Sequence, residues 1–98
     1  MTKIIWTSTA LERVDEIVQY IADDNPNAAL KWLDALFKKV DLIPSHPLSY
    51  RIAPEINNKL IREIVFRNYR VIFKVEKTVV TIMTVRHFKQ ILPVSDFS

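Results

Sequence analysis

The chain contains no cysteine and no glycine in 98 residues. Without thiols there is no disulfide, no thiolate metal site and no cysteine nucleophile, a pattern that fits a reducing compartment. Without glycine there is no glycine-rich phosphate loop, which excludes P-loop and Rossmann-type nucleotide binding. The turns must then be made by Asn, Asp and Pro. No apolar run approaches the ~20 residues of a membrane span. The opening MTKIIWTSTALERVDEI lacks the layout of a secretory signal. The expectation is a cytoplasmic domain spanning 1–98 with one hydrophobic core and no membrane partner. At 49% hydrophobic and 26% charged, the composition is that of a folded chain rather than a disordered one.

What is present is unevenly placed. The net charge of +3 conceals a net of −2 over residues 1–58 and +6 over residues 59–89. The basic excess belongs to one stretch of chain. Ahead of it, Lys3–Thr7 is β-branched and aromatic and reads as a strand. Ser8 or Thr9 can cap a helix, with Glu12 completing a capping-box spacing from Thr9. Apolar residues at Ala10, Leu11, Val14, Ile17, Val18 and Ile21 mark one helical face. Asp23-Asp24-Asn25-Pro26 ends that helix and begins another, with Asn25 as cap and Pro26 in the first turn. The second stripe runs from Ala29 through Trp32, Leu33, Leu36, Phe37 and Val40 to Ile43. Two helices joined so tightly form an antiparallel hairpin, with Trp6 and Trp32 expected in the core.

The period then changes. Prolines 44, 47 and 54 punctuate an irregular connection, and Lys59–Phe66, Tyr69–Val75 and Thr78–Phe88 read as strands. Arg67-Asn68 and Glu76-Lys77 are the expected turns, with Asn68 the favoured left-handed residue. The predicted fold class is α+β: an N-terminal strand, a two-helix hairpin, then a three-stranded antiparallel meander.

Alternation sorts the meander by face. Arg62, Ile64 and Phe66 share one face of their strand, opposite Ile61, Glu63 and Val65. Arg70, Ile72 and Lys74 lie opposite Val71, Phe73 and Val75. Arg86 falls with Ile82 and Thr84, and His87 with Met83 and Val85. In a favourable register Arg62, Arg70 and Arg86 approach one another, and a slip of one residue undoes the cluster. Several guanidiniums together form a phosphate or oxyanion clamp, as RNA cleavage or nucleic-acid binding needs. The commoner outcome is a solvated face or a site for an acidic partner, and Ile64 and Ile72 add the apolar gaps that suit a protein. His87 is the one candidate acid–base catalyst of the meander, since an imidazole titrates near neutrality; a strand-end histidine without chemistry is the commoner case. His46 between prolines reads as a loop residue. The serines, at 8, 45, 49, 95 and 98, lie in caps, loops or the tail. No spacing points to a metal or cofactor.

The order of these elements, with LIREIVFRNYRVIFKV and TIMTVRHFKQ, resembles the RelE/ParE superfamily of bacterial toxins. The most specific pieces are Arg62-Glu63, the run Asn68 to Phe73, and Arg86-His87. The resemblance implies a toxin of a type II toxin–antitoxin module, neutralised by a cognate antitoxin whose acidic, flexible tail wraps it in a hetero-oligomer. RelE-like members cleave mRNA on the ribosome with basic meander residues and often a late Tyr or His. ParE-like members inhibit DNA gyrase without that catalytic set. Arg70 and Arg86 match the RelE-like arginines, but the Lys-x-Lys pair is absent and no tyrosine follows Tyr69, leaving His87 as the late catalytic candidate. REIVFRNYRVIF is closer to ParE. The resemblance therefore implies a gyrase or topoisomerase IV inhibitor that binds rather than catalyses. The alternative is a ribosome-dependent endoribonuclease using Arg62, Arg70, Arg86 and His87. Contacts to target or antitoxin are expected from Arg62, Ile64, Arg67, Arg70, Ile72, Lys74, Arg86, Phe88 and Lys89, with the segment from Phe88 to Ser98.

Overall fold

The computed structural model describes residues 3–97; Ser98, counted above in the tail, lies outside them. β1 (Lys3–Trp6) leads into α1 (Ser8–Asp24) and α2 (Pro26–Val40). Two single-turn 3-10 helices follow, then β2 (Arg51–Ile52), β3 (Ile61–Phe66), β4 (Tyr69–Glu76), β5 (Val79–His87) and a last 3-10 turn at Val94–Phe97. The strands form one mixed five-stranded sheet in the order β1-β5-β4-β3-β2. The expected meander is β3–β5. Its flanks are the new features: β1 joins parallel to β5, and the two-residue β2, unforeseen in the proline-rich connection, joins antiparallel to β3.

Local chemistry explains the helix boundaries. Asn25 accepts a hydrogen bond from the Ala28 N–H and Pro26 opens α2, as expected. The cap of α1 is Thr7, not Ser8 or Thr9, and the Thr9–Glu12 capping box does not form. The Thr7 hydroxyl accepts from the Ala10 N–H at 3.0 Å and donates to the Ile82 carbonyl at 2.9 Å. One side chain thus ends β1, starts α1 and ties both to β5. That tertiary bond is why the helix begins one or two residues early.

The helix hairpin covers one face of the sheet. Val14, Trp32, Leu36 and Val40 pack there against Ile64, Phe66, Val71, Phe73, Ile82 and Val85, with Trp6 at the margin. Burying each such side chain contributes about 1.5–3 kcal/mol. Trp32 meets Phe66 and Tyr69 edge-on, and its indole N–H is buried with no hydrogen-bond partner among the described residues.

The first hairpin turn is Arg67-Asn68, as expected, but its positive-φ residue is not the expected one, and the second turn lies one position later than expected. Arg67, not Asn68, takes the positive φ of 54°, and the second turn is Lys77-Thr78, with Lys77 at φ 50°. A two-residue hairpin loop needs positive φ to match the strand twist. Here that need falls on the first loop residue, although a Cβ in this region costs about 1–2 kcal/mol.

Candidate functional site

The basic residues of the meander do not form a cationic face. The register sets Arg62 opposite Phe73, on the helix side. Its guanidinium donates to the carbonyls of Lys59, Leu48 and Tyr50 and anchors the irregular connection. Arg70 and Arg86 are cross-strand partners on the other face, so two of the three expected arginines do meet. A bulge brings this about. Between Ile72 and Phe73 on β4, β5 inserts Met83, which breaks the alternation assumed for that strand. Ile82, Val85 and His87 therefore face the helices, while Met83, Thr84 and Arg86 face away. Arg86 does not share a face with Ile82, nor His87 with Met83.

Neither arginine is free. Arg70, 5% exposed, bonds Glu63 through Nε at 2.9 Å and Glu55 through both terminal nitrogens at 2.5 and 2.7 Å. Glu63, 1% exposed, also bonds Arg51. The bonds to Glu55 first, and then to Glu63, raise the Arg70 pKa above its ordinary value. The same bond lowers that of Glu55. Arg86 is held by Asp96, 2.8 Å from Nε, and the Thr84 hydroxyl donates to the same carboxylate at 2.7 Å. Burial alone pushes Asp96 up, but the bonds from Arg86 and Thr84 and the charges of Arg86 and Arg13 take it below the ordinary carboxylate range. Arg13 reaches this carboxylate from α1 at 3.4 Å. It can do so because β1 pairs only with Val79–Ile82, leaving the end of β5 uncovered on that side.

The expected apolar gaps are closed as well. Ile64 lies in the main core, and Ile72 is fully buried beneath a second, smaller cluster. That cluster joins Ala53, Ile61 and Leu92, with Ile56, Met83 and Phe97 against it. The loop after β2 and the C-terminal segment thus roof the face that alternation left open. Of the remaining candidates, Arg67 stacks over Phe66, Lys74 pairs with Glu76 at 3.2 Å, and Lys89 lies over the half-exposed Phe88.

One cleft of about 370 Å³ stands beside these pairs. Arg13, Glu16 and Tyr20 of α1 form one wall, and Tyr69, Arg86 and His87 the other. The Tyr69 ring meets His87 edge-on, and His87 stacks on Phe88. Burial, then the neighbouring Tyr20, pushes the Tyr69 phenol up, so Tyr69 is a neutral hydrogen-bonding group at physiological pH. Among the described residues, no three His, Cys, Asp or Glu side chains gather as metal ligands would.

The family model for the ParE toxin of the type II toxin–antitoxin system parDE matches residues 4–92. The chain belongs to the ParE toxin family. It is 34% identical over 93 residues to "Putative toxin Y4kP" of Sinorhizobium fredii (strain NBRC 101917 / NGR234), an alignment covering 93% of each protein. Its fold is shared with a chain of the chromosomal ParDE TA system from P. aeruginosa. That match has a TM-score of 0.74 and 19% identity, covering 89% of this chain and 96% of the other.

Within this ParE-family chain, sequence reasoning missed three functional neighbours: Glu55, Asp96 and Arg13. Each lies outside the meander: Glu55 in the loop before β3, Asp96 in the segment after β5, and Arg13 on α1. A signal for Asp96 existed in the sequence: a lone carboxylate between apolar Leu92 and Phe97, in a tail otherwise without acid. Arg13 had none, since its helix position is that of a solvated residue. No helix among the described residues is long and apolar enough to cross a membrane.

Proposed function

We propose that this chain is a cytoplasmic toxin that binds DNA gyrase or topoisomerase IV and inhibits it without catalysing a reaction of its own. A cognate antitoxin with an acidic, flexible tail neutralises it in a hetero-oligomer. The observation that carries the binding reading is the internal pairing of the arginines. An mRNA-cleaving site needs cations converging on the scissile phosphate. Here Arg70 is held on all three guanidinium nitrogens by Glu55 and Glu63, Arg86 is paired through Nε and Nη2 with Asp96, and Arg62 lies on the opposite face. The carboxylate of Glu63 in the middle of this face opposes phosphate binding. Of the expected contact residues and the C-terminal segment, Arg67, Phe88, Lys89, Ile91 and Val94 are exposed, a mixed cationic and apolar set suited to a protein.

A second reading has one observation in its favour: His87, Arg86 and Tyr69 share the cleft, the composition of a small ribonuclease site. Brief expression without antitoxin separates the two. Trapped topoisomerase–DNA complexes with intact mRNA are the expected outcome. Ribosomal mRNA cutting that disappears in His87→Ala would make this chain an endoribonuclease and overturn the proposal.

A further inference from the structure

The C-terminal segment holds the second face of the sheet by few contacts. Beyond the turn after His87, Leu92 and Phe97 close the small apolar cluster over Ile61, Ile72 and Met83. Between those anchors lies Asp96, 4% exposed. It accepts from Arg86 Nε at 2.8 Å, Arg86 Nη2 at 3.2 Å, Thr84 Oγ1 at 2.7 Å and Arg13 Nε at 3.4 Å. The other apolar side chains of the segment stand in water: Ile91 is 89% exposed and Val94 86%. Conformational entropy opposes the ordering of every residue in such a segment. Two apolar anchors and one carboxylate offset that opposition narrowly.

We propose that the seat of Asp96 is a peptide-binding site that the chain fills with its own tail. When the tail lifts, Arg86, Arg13 and Thr84 take a carboxylate from an acidic, apolar segment of a partner protein. The partner's apolar side chains then replace Leu92 and Phe97 over Ile61, Ile72 and Met83.

Charge and spacing define this occupant. The seat offers two guanidiniums and a hydroxyl whose proton already points at a carboxylate, so it selects an acid over an amine. In the tail the apolar anchors stand four residues before the carboxylate and one after it, which makes Leu-x-x-x-Asp-Phe the simplest matching order. Arg13 and Arg86 also line the cleft between α1 and β5. An incoming carboxylate can meet them there before Asp96 leaves, so the exchange never leaves the partly buried Arg86 unpaired, and Arg13 keeps its second partner, Glu16, throughout. Ile91 and Val94 are exposed with the segment in place, so a partner can contact them before the segment is released. The proposal deepens the antitoxin reading and rests on it only for the identity of the partner. The seat itself is testable with a peptide.

The test uses the full chain and the synthetic peptide FKQILPVSDFS, which carries the tail's own sequence. In Asp96→Asn, amide hydrogen exchange over residues 92–97 is expected to accelerate about tenfold or more while β3–β5 stay protected. The labelled peptide should bind this variant about tenfold more tightly than it binds the unaltered chain, whose own tail competes. The same peptide with its Asp replaced by Asn should not bind. Phe97→Ala, which loosens the segment without touching the arginines, should give the same release and the same peptide binding. It keeps the test intact if Asp96→Asn fails to fold. Unchanged exchange over 92–97 in the folded variants, or release without peptide binding, overturns the proposal. So does a concentration-dependent dimer that exchanges tails, because the occupant would then be a second copy. None of these readouts depends on gyrase or on toxicity, so loss of the antitoxin reading leaves the seat standing.

Discussion

The two faces of the sheet are built on different physics. The helix-covered face is an apolar interface in which Leu36, Val71, Phe73 and Val80 lose all contact with water. The opposite face mixes a small apolar cluster with two ion-pair groups, Arg51–Glu63–Arg70–Glu55 and Arg13–Asp96–Arg86. Apolar burial is non-directional and tolerates small shifts. A buried ion pair balances a large desolvation penalty against an attraction that depends on geometry. The first face therefore holds the fold together, and the second is where a partner of the right charge can compete with the protein's own side chains.

The comparison is tested hardest by Phe73→Ala. It should remove about 3–5 kcal/mol of stability, read from urea unfolding, because a fully buried ring leaves a cavity under the helices. Glu63→Ala should follow at about 3 kcal/mol, since Arg70 stays buried with only Glu55 as partner. Replacing both, Glu63→Leu with Arg70→Met, should recover most of that loss. If the double variant were as unstable as Glu63→Ala, the contrast between the faces would be wrong.

A smaller effect, about 1–2 kcal/mol, is expected for Asp96→Asn, which keeps the shape of the side chain and removes its charge. It carries a pH signature. Asp96 and Glu55 bind protons less tightly in the folded chain than in the unfolded one. Their contribution is therefore complete above the ordinary carboxylate pKa of about 4 and is lost as pH falls through their lowered values. Unfolding midpoints measured from pH 7 downward should drop over that range, and less steeply in Asp96→Asn. The smallest effect, under about 0.5 kcal/mol, belongs to Lys38→Ala, which breaks an exposed pair with Asp34 on α2. A loss as large as that of Asp96→Asn would show that burial is not what distinguishes the ion pairs of the second face.

Local chemistry alone determined a good part of this protein. The helical stripes, the Asn25-Pro26 junction and the alternation of Val71, Phe73 and Val75 are properties of a few consecutive residues, so they were legible without the fold. The likeness carried by Arg62-Glu63, Asn68–Phe73 and Arg86-His87 pointed to the family that the comparisons establish. Tertiary structure decided the rest. The bulge at Met83 turned Arg86 and His87 to the faces opposite those implied by strict alternation from Ile82, because parity survives only until one strand gains a residue. The β3–β4 register sent Arg62 to the helix side. Glu55 and Asp96, 15 and 10 residues from their arginines in the chain, were brought onto them by packing. A sequence displays which charges exist; whether a cation is free or already held depends on what the fold lays beside it.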